Sequence, residues 1–266
     1  MMTTAPERKL AKYKVETNGI VTELIRQTPR TQTLRLKAPN LPPEKAPFRF
    51  KPGQFVMVRP FIESRNKIIP RSYSISSSPT RSMKTDGYFD LTVFQTQTPT
   101  VSKWMNDRNI GDEVPFRGPY GSFVWNSNDP SCEQLFMLAG GSGITPMKSI
   151  LEFIHDKNLP NKATLLYSCR TQEDIFYKKE LPQLIEKSRN IKLIITLTRE
   201  PNDSNWNGRK DRFGLEDIKS ALKTNDYDLK KTTFYICGTP GFIAGMIQNL
   251  DNLGIKPSRI KREKWD

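Results

Sequence analysis

Arg71-Ser72-Tyr73-Ser74 sets a cation and an aromatic ring two residues apart at the head of a β-prone run. Period-two alternation in a strand sends Arg71 and Tyr73 to one face, where a guanidinium can hold a phosphate and a phenol ring can stack on a planar ring system. Ser72 lies between them, and Ser74 offers a small hydroxyl to a ring nitrogen. The same four residues also suit an ordinary strand with a surface arginine, so their meaning depends on what else the chain carries.

A second candidate is Thr100-Val101-Ser102, where Pro99 and Thr100 can start a helix that VSKWMND continues. Unbonded amides and the positive end of the helix dipole make an anion site there, to which Ser102 adds a hydroxyl; a plain helix cap uses the same residues. A third is LAGGSGITPM, Leu138 to Met147, in which an apolar strand meets Gly140, Gly141 and Gly143, and then Thr145-Pro146 at a helix start. Such a turn lets backbone approach a pyrophosphate closely, although Pro146 stands where G-x-G-x-x-G would have its last glycine.

Arg170, Arg199 and Arg209 follow apolar runs, or lie in the loop behind one, on the edge where parallel sheets bind ligands. Guanidinium groups suit the 2'-phosphate of NADP, whereas an unphosphorylated ribose favours a carboxylate, and Glu173, Asp174 and Glu200 are close in sequence. Solvated loop charges are the plainer alternative. Cys237-Gly238 closes a further strand, and Glu263-Lys264-Trp265-Asp266 closes the sequence. Extended geometry puts Glu263 and Trp265 on the same side, and the indole either packs in the core or covers a ligand ring and swings away.

The elements that must position these residues change character midway. From Val15 to about Trp125, short alternating segments (VETNGIVTELI, TQTLRLKA, QFVMVRP, RSYSISS, GYFDLTVFQ, EVPFRG) predict a closed antiparallel barrel. Polar Asn126 to Glu133 reads as a link. Beyond it, QLFMLAG, ATLLYS, IKLIITLT and TTFYICG alternate with helical patterns such as TPMKSILEFIHDK and GFIAGMIQNLDNL, which predicts a parallel sheet covered on both faces. The expected layout is a mobile N-terminus over residues 1–12, a barrel domain over 13–128 and an α/β domain over 129–266.

Composition narrows the chemistry. With 266 residues, 36% hydrophobic content and no apolar run of membrane-spanning length, the sequence predicts a polar globular protein. Finding no secretory pattern either, we expect a cytoplasmic location. Three scattered cysteines argue against a disulfide framework or a thiolate metal cluster, and the only histidine, His155, sits in a helical pattern that suits an exposed or locally bonded side chain better than a catalytic base. A net charge of +14 favours anionic partners, among them acidic proteins and phosphorylated cofactors. Nucleic acid is disfavoured because the basic residues form no run interleaved with aromatics.

In order and spacing, from about Val15 to Trp265, these segments resemble the ferredoxin-NADP reductase superfamily. The resemblance implies a β plus α/β fold of two domains: an antiparallel Greek-key flavin-binding barrel, then a Rossmann-like parallel-sheet nucleotide-binding domain, with FAD in the cleft between them. It implies that Arg71, Tyr73 and Ser74, in one motif with Ser72, hold the flavin phosphate, stack on the isoalloxazine and bond its reactive nitrogen. Val101 and Ser102 match a second flavin pyrophosphate contact, with Thr100 where the family usually has glycine. Gly118 to Phe123 match the segment that closes the barrel. Gly141, Gly143 and Thr145 match the nicotinamide pyrophosphate loop, and Cys237 the thiol beside the nicotinamide. Arg170, Arg199 and Arg209 match 2'-phosphate positions of bacterial-type members, with Thr198 the small hydroxyl beside them. Glu263 and Trp265 resemble the terminal acid and aromatic, here followed by an added Asp266.

The implied activity is that of an FAD reductase that takes hydride from NADPH and passes single electrons to an acidic ferredoxin or flavodoxin. An NADH-dependent reductase of a cytochrome or oxygenase system and a non-catalytic flavin- or nucleotide-binding regulator share the fold. Ser74, Cys237 and Glu263 beside both binding motifs favour an enzyme.

Overall fold

The computed structural model describes residues 13–85, 87–96, 100–127, 129 and 132–264. It forms two compact units: the first ends at Val124, and the second begins at Trp125 and also counts residues 27–29.

The first unit contains β1 (Val15–Thr28), β2 (Thr31–Lys37), β3 (Phe55–Val58), β4 (Phe61–Ile62), β5 (Lys67–Ile68), β6 (Arg71–Ser74), β7 (Tyr88–Phe94) and β8 (Glu113–Tyr120), with short helices α1 (Pro79–Lys84) and α2 (Val101–Asn106). Six strands form one sheet in the order β6-β3-β8-β1-β2-β7, while β4 and β5 make a separate hairpin. The β3–β6, β3–β8, β1–β8 and β2–β7 ladders are antiparallel. Alternation buries Leu34, Leu36, Val56, Val58, Phe89, Leu91, Val93, Val114 and Phe116 in one core. Phe48 stands between Phe89 and Phe116, with ring centroids 4.8 and 5.3 Å away.

Among the described residues one backbone bridge, Ile75 to Leu91, joins the two ends of the sheet, so the barrel is nearly closed and side chains add to the seam. The Ser76 and Thr92 hydroxyls lie 3.0 Å apart, and the Asp90 amide donates to Ser77 Oγ at 3.0 Å. The Asp90 carboxylate, 4% exposed, receives Arg35 Nε at 2.9 Å and Arg81 Nη1 at 2.8 Å. Arg81 belongs to α1, which starts as Ser78 Oγ accepts from the Thr80 amide with Pro79 in the first turn. One carboxylate thus links β2, β7 and α1.

The second unit contains β9 (Gln134–Gly140), α3 (Ile144–Asp156), β10 (Lys162–Cys169), α4 (Glu180–Glu186), β11 (Ile191–Leu197), β12 (Arg209–Lys210), α5 (Leu215–Thr224), β13 (Thr232–Gly238), α6 (Pro240–Asn252) and β14 (Ile260–Lys264). Its sheet is parallel, in the order β12-β11-β10-β9-β13-β14. Strands β9 and β13 are buried almost throughout, as expected where both faces of a sheet are covered. The order reverses between β9 and β13, the switch point outside which open sheets bind ligands. Gly143, just past β9, approaches β13 so closely that an added Cβ would lie 2.1 Å from the Cys237 carbonyl oxygen. His155, expected to be exposed or locally bonded, is instead bonded at long range, with Nδ1 2.8 Å from Ser188 Oγ.

Two stability tests follow from this packing. Asp90→Ala should destabilise the barrel by about 3 kcal/mol, because removing one partner of a buried ion pair strands the others; a urea midpoint equal to wild type would remove the clamp from the account. Gly143→Ala should destabilise the second unit by about 1–3 kcal/mol through overpacking. Gly245→Ala, where an added Cβ meets nothing within 4 Å, should instead raise the melting temperature, since alanine is the better helix residue by about 1 kcal/mol.

Candidate functional site

In the first unit, β6 pairs with β3 so that Arg71 faces Val58, Tyr73 faces Val56 and Ser74 faces Phe55. The alternation expected for Arg71 and Tyr73 is therefore present. Arg71 is exposed, its Nη1 donating to the Pro70 carbonyl at 2.9 Å, and Tyr73 is half-buried against the core cluster. Burial pushes the Tyr73 phenol well above its ordinary pKa, against a smaller opposing pull from the Arg71 charge. Ser72 is half-buried, with Oγ 3.9 Å from Met57 Sδ.

Ser74 is buried, and its Oγ has no hydrogen-bond partner among the described residues. A buried hydroxyl without a partner is costly unless something else meets it, so this atom fits a polar ring nitrogen delivered by a ligand. Phe55 also pairs with Tyr120 of β8, across a register shift, which brings the Gly118 to Phe123 segment into the same cross-strand row as Ser74. The start of α2 carries no side-chain cap from Thr100, while Ser102 Oγ lies 3.2 Å from Thr96 Oγ1. Val101 and Ser102 are buried in that first turn.

In the second unit, Gly141 to Gly143 form a tight 3-10 turn that runs directly into α3. Gly141 has φ of 54°, and nothing stands within 4 Å of where its Cβ would be, which leaves open backbone facing a potential ligand. The Thr145 hydroxyl donates to the Ser142 carbonyl at 2.9 Å and so braces the turn. Cys237 is fully buried at the end of β13 and pairs directly with Glu263 of β14. Sequence reading placed these two residues near one another only through the resemblance. Trp265 and Asp266 lie outside the described residues, as does Pro99.

The three arginines do not behave alike. The Arg199 amide donates to the Arg170 carbonyl at 2.8 Å, so the two residues stand side by side beyond β10 and β11. Both are exposed, and neither has an ion pair among the described residues. Arg209 instead donates through Nη2 to Asp217 at 2.9 Å. The Thr198 hydroxyl donates to the Cys169 carbonyl at 3.1 Å.

Two of the three nearby carboxylates are also engaged, while Glu173 is exposed. Asp174 accepts from the Thr171 amide and hydroxyl, and Glu200 accepts from the Gln172 amide at 2.9 Å and from Gln172 Nε2 at 2.7 Å. Those bonds hold the Glu200 carboxyl below its ordinary pKa. Neither the Glu200–Gln172 pair nor Asp217 was visible in the sequence, because each partner comes from a different loop or helix. The closest signals were T-x-x-D at Thr171 and G-x-x-D at Gly214, both helix-start patterns.

Residues 40–125 match the family model of the oxidoreductase FAD-binding domain, and residues 137–248 that of the oxidoreductase NAD-binding domain. The chain is 32% identical over 213 residues to NADH-cytochrome b5 reductase 1 of Aspergillus oryzae, an alignment spanning 78% of this chain and 69% of that protein. It is 30% identical over 219 residues to the glycine betaine monooxygenase reductase subunit of Pseudomonas aeruginosa, covering 82% of this chain and 57% of that subunit. The fold also matches the crystal structure of a ferredoxin NADP+ reductase from Neisseria gonorrhoeae with bound FAD and NADP, at TM-score 0.75 and 23% identity over 94% of this chain and 98% of that one. With an FAD-binding barrel in one unit and an NAD-binding parallel sheet in the other, the chain belongs to the ferredoxin-NADP reductase superfamily and is an NAD(P)H-dependent flavoprotein oxidoreductase.

Proposed function

We propose that the chain oxidises NADPH, holds FAD on its barrel and delivers electrons one at a time to an acidic ferredoxin or flavodoxin. The coenzyme choice rests on Arg170 and Arg199, exposed side by side at the carboxyl edge of the sheet with no ion pair among the described residues. A 2'-phosphate gives both cations a partner, whereas an unphosphorylated ribose gives them none. The strand ending at Leu197 continues into Thr198 rather than into a carboxylate, which supports the same choice.

In this reading Arg71 holds the flavin phosphate, Tyr73 stacks as a neutral phenol, and Ser74 donates its hydroxyl to a ring nitrogen. The amides at Thr100 to Ser102 add a second phosphate contact. Gly141, Gly143 and the first turn of α3, braced by Thr145, hold the coenzyme pyrophosphate. Cys237 and Glu263 border the nicotinamide, and Trp265 covers the flavin until the coenzyme displaces it. A bound flavin supplies the one chemistry that no side chain here possesses, accepting an electron pair together and releasing it singly. The acidic partner rests on the net charge of +14, which steers encounter with a negative surface.

The names of two relatives, an NADH-cytochrome b5 reductase and a monooxygenase reductase subunit, favour a second reading in which NADH is the donor and a cytochrome or oxygenase component the acceptor.

Kinetics separate these readings. kcat/KM should be higher with NADPH than with NADH, and equal values for the wild type would overturn the NADPH assignment. Arg199→Ala should lower the preference roughly ten- to a hundredfold, the effect of losing hydrogen bonds to a charged group. Arg209→Ala should lower it less, because Asp217 already holds that guanidinium.

The acceptor is tested with salt. Reduction of an acidic protein should slow steeply as the Debye length shrinks to about 8 Å near physiological ionic strength, while reduction of a neutral dye stays constant. Rates independent of salt for both acceptors would remove the support for an acidic partner.

A further inference from the structure

Two arginines on separate loops must be presented together if one phosphate is to meet both, and at close range like charges repel. The loops that carry Arg170 and Arg199 are cross-linked by hydrogen bonds. Glu200 directly follows Arg199, yet its carboxylate pairs with neither arginine among the described residues. It reaches across to the turn after β10 and accepts two hydrogen bonds from Gln172, one from the amide at 2.9 Å and one from Nε2 at 2.7 Å. Gln172 Nε2 also donates to Asn205 Oδ1 at 3.0 Å, which fastens the far side of the same loop. Lys210 Nζ adds a bond to the Pro201 carbonyl at 2.8 Å.

Behind this clamp, the Arg199 amide bonds the Arg170 carbonyl at 2.8 Å, and the Thr198 amide and hydroxyl bond the Cys169 carbonyl at 2.9 and 3.1 Å. We propose that Glu200 and Gln172 are positioning residues that set coenzyme specificity, by locking the loops after β10 and β11 so that Arg170 and Arg199 stand as a preformed pair for the 2'-phosphate. This rests on the NADPH reading above.

The chemistry favours such an arrangement in two ways. A carboxylate beside two guanidinium groups would ordinarily pair with one of them and compete with the incoming phosphate. Here each of its oxygens accepts from an N–H group of Gln172, and it makes no ion pair with Arg170 or Arg199 among the described residues. Ordering two long side chains on mobile loops at the moment of binding also lowers affinity, and preorganised loops remove part of that cost. The hydrogen bonds that hold the Glu200 carboxyl below its ordinary pKa keep it ionised, and the clamp intact, at pH values where a free carboxylate begins to protonate.

The test is titration calorimetry of the purified protein with adenosine 2',5'-bisphosphate, using adenosine 5'-monophosphate as the ligand without the 2'-phosphate. Wild type should bind the bisphosphate more tightly. Glu200→Gln and Gln172→Ala should each weaken the bisphosphate roughly tenfold, the effect of losing hydrogen bonds to a charged group, and should leave the monophosphate within about twofold. The double variant Gln172→Glu with Glu200→Gln exchanges donor and acceptor, and should recover most of the lost affinity. Melting temperatures of all variants report folding separately.

Equal binding of the two ligands by wild type would overturn the NADPH reading and the clamp with it. A wild type that discriminates, beside single variants that discriminate equally well, would overturn the clamp alone. Weakening of both ligands together, with no recovery in the exchanged pair, would reduce Glu200 to a structural role and equally overturn it.

Discussion

Strand β6, four residues long, ends the barrel sheet, and the buried Asp90 carboxylate ties the helix that follows it to β2 and β7 at the sheet's other end. Strand β6 pairs along its length with β3 on one side; on the other, among the described residues, the chain meets β7 through one bridge at Ile75. A strand with so little ladder has too few backbone hydrogen bonds to stay in place. The missing restraint comes from hydroxyls and from Asp90, which joins Arg35 of β2 to Arg81 of α1 across the seam. Because side chains close the seam, Ser74 is left buried with an uncommitted hydroxyl at the end of the strand.

The second unit meets the same problem with backbone. Gly143 lies against the Cys237 carbonyl, so the glycine turn after β9 packs directly on the end of β13. The next strand then sets Glu263 opposite Cys237. Helix α3 begins immediately behind the turn, and its free amides and dipole favour negative charge at that point. A pyrophosphate held there has a fixed relation to the thiol and the acid, set by one close contact and one ladder rather than by mobile side chains.

Most of this frame was legible because it is periodic. QLFMLAG and TTFYICG coincide with β9 and β13, since strands buried on both faces need unbroken apolar runs. What stayed hidden lacks that signal. Strand β14 reads IKREK, where charge protects a sheet edge and erases the apolar pattern, and β12 is only Arg209–Lys210. Helix α1 spans six residues, too few to carry a helical period. The site was legible as residue types and not as bonding. Nothing in the order of letters separates an arginine held by Asp217 from one held by no carboxylate.

That last distinction governs how the basic composition bears on function. Glu173, Asp174 and Glu200 lie within a few residues of Arg170 or Arg199, so counting charges along the chain predicts local neutrality. In the structure, Asp174 is turned toward the Thr171 amide and hydroxyl, and Glu200 toward Gln172, all donors that need an acceptor in any case. Unit charges 4 Å apart interact by about 1 kcal/mol in bulk water and about 4 kcal/mol at the effective dielectric of a protein surface. Two solvated guanidinium groups are thus cheap to keep unpaired while water surrounds them, and their attraction for an anion grows as a ligand displaces that water. The net charge of +14 describes the whole chain, but the local field at this sheet edge depends on which groups its carboxylates meet, and here Asp174 and Glu200 accept from backbone, hydroxyl and amide donors rather than from an arginine.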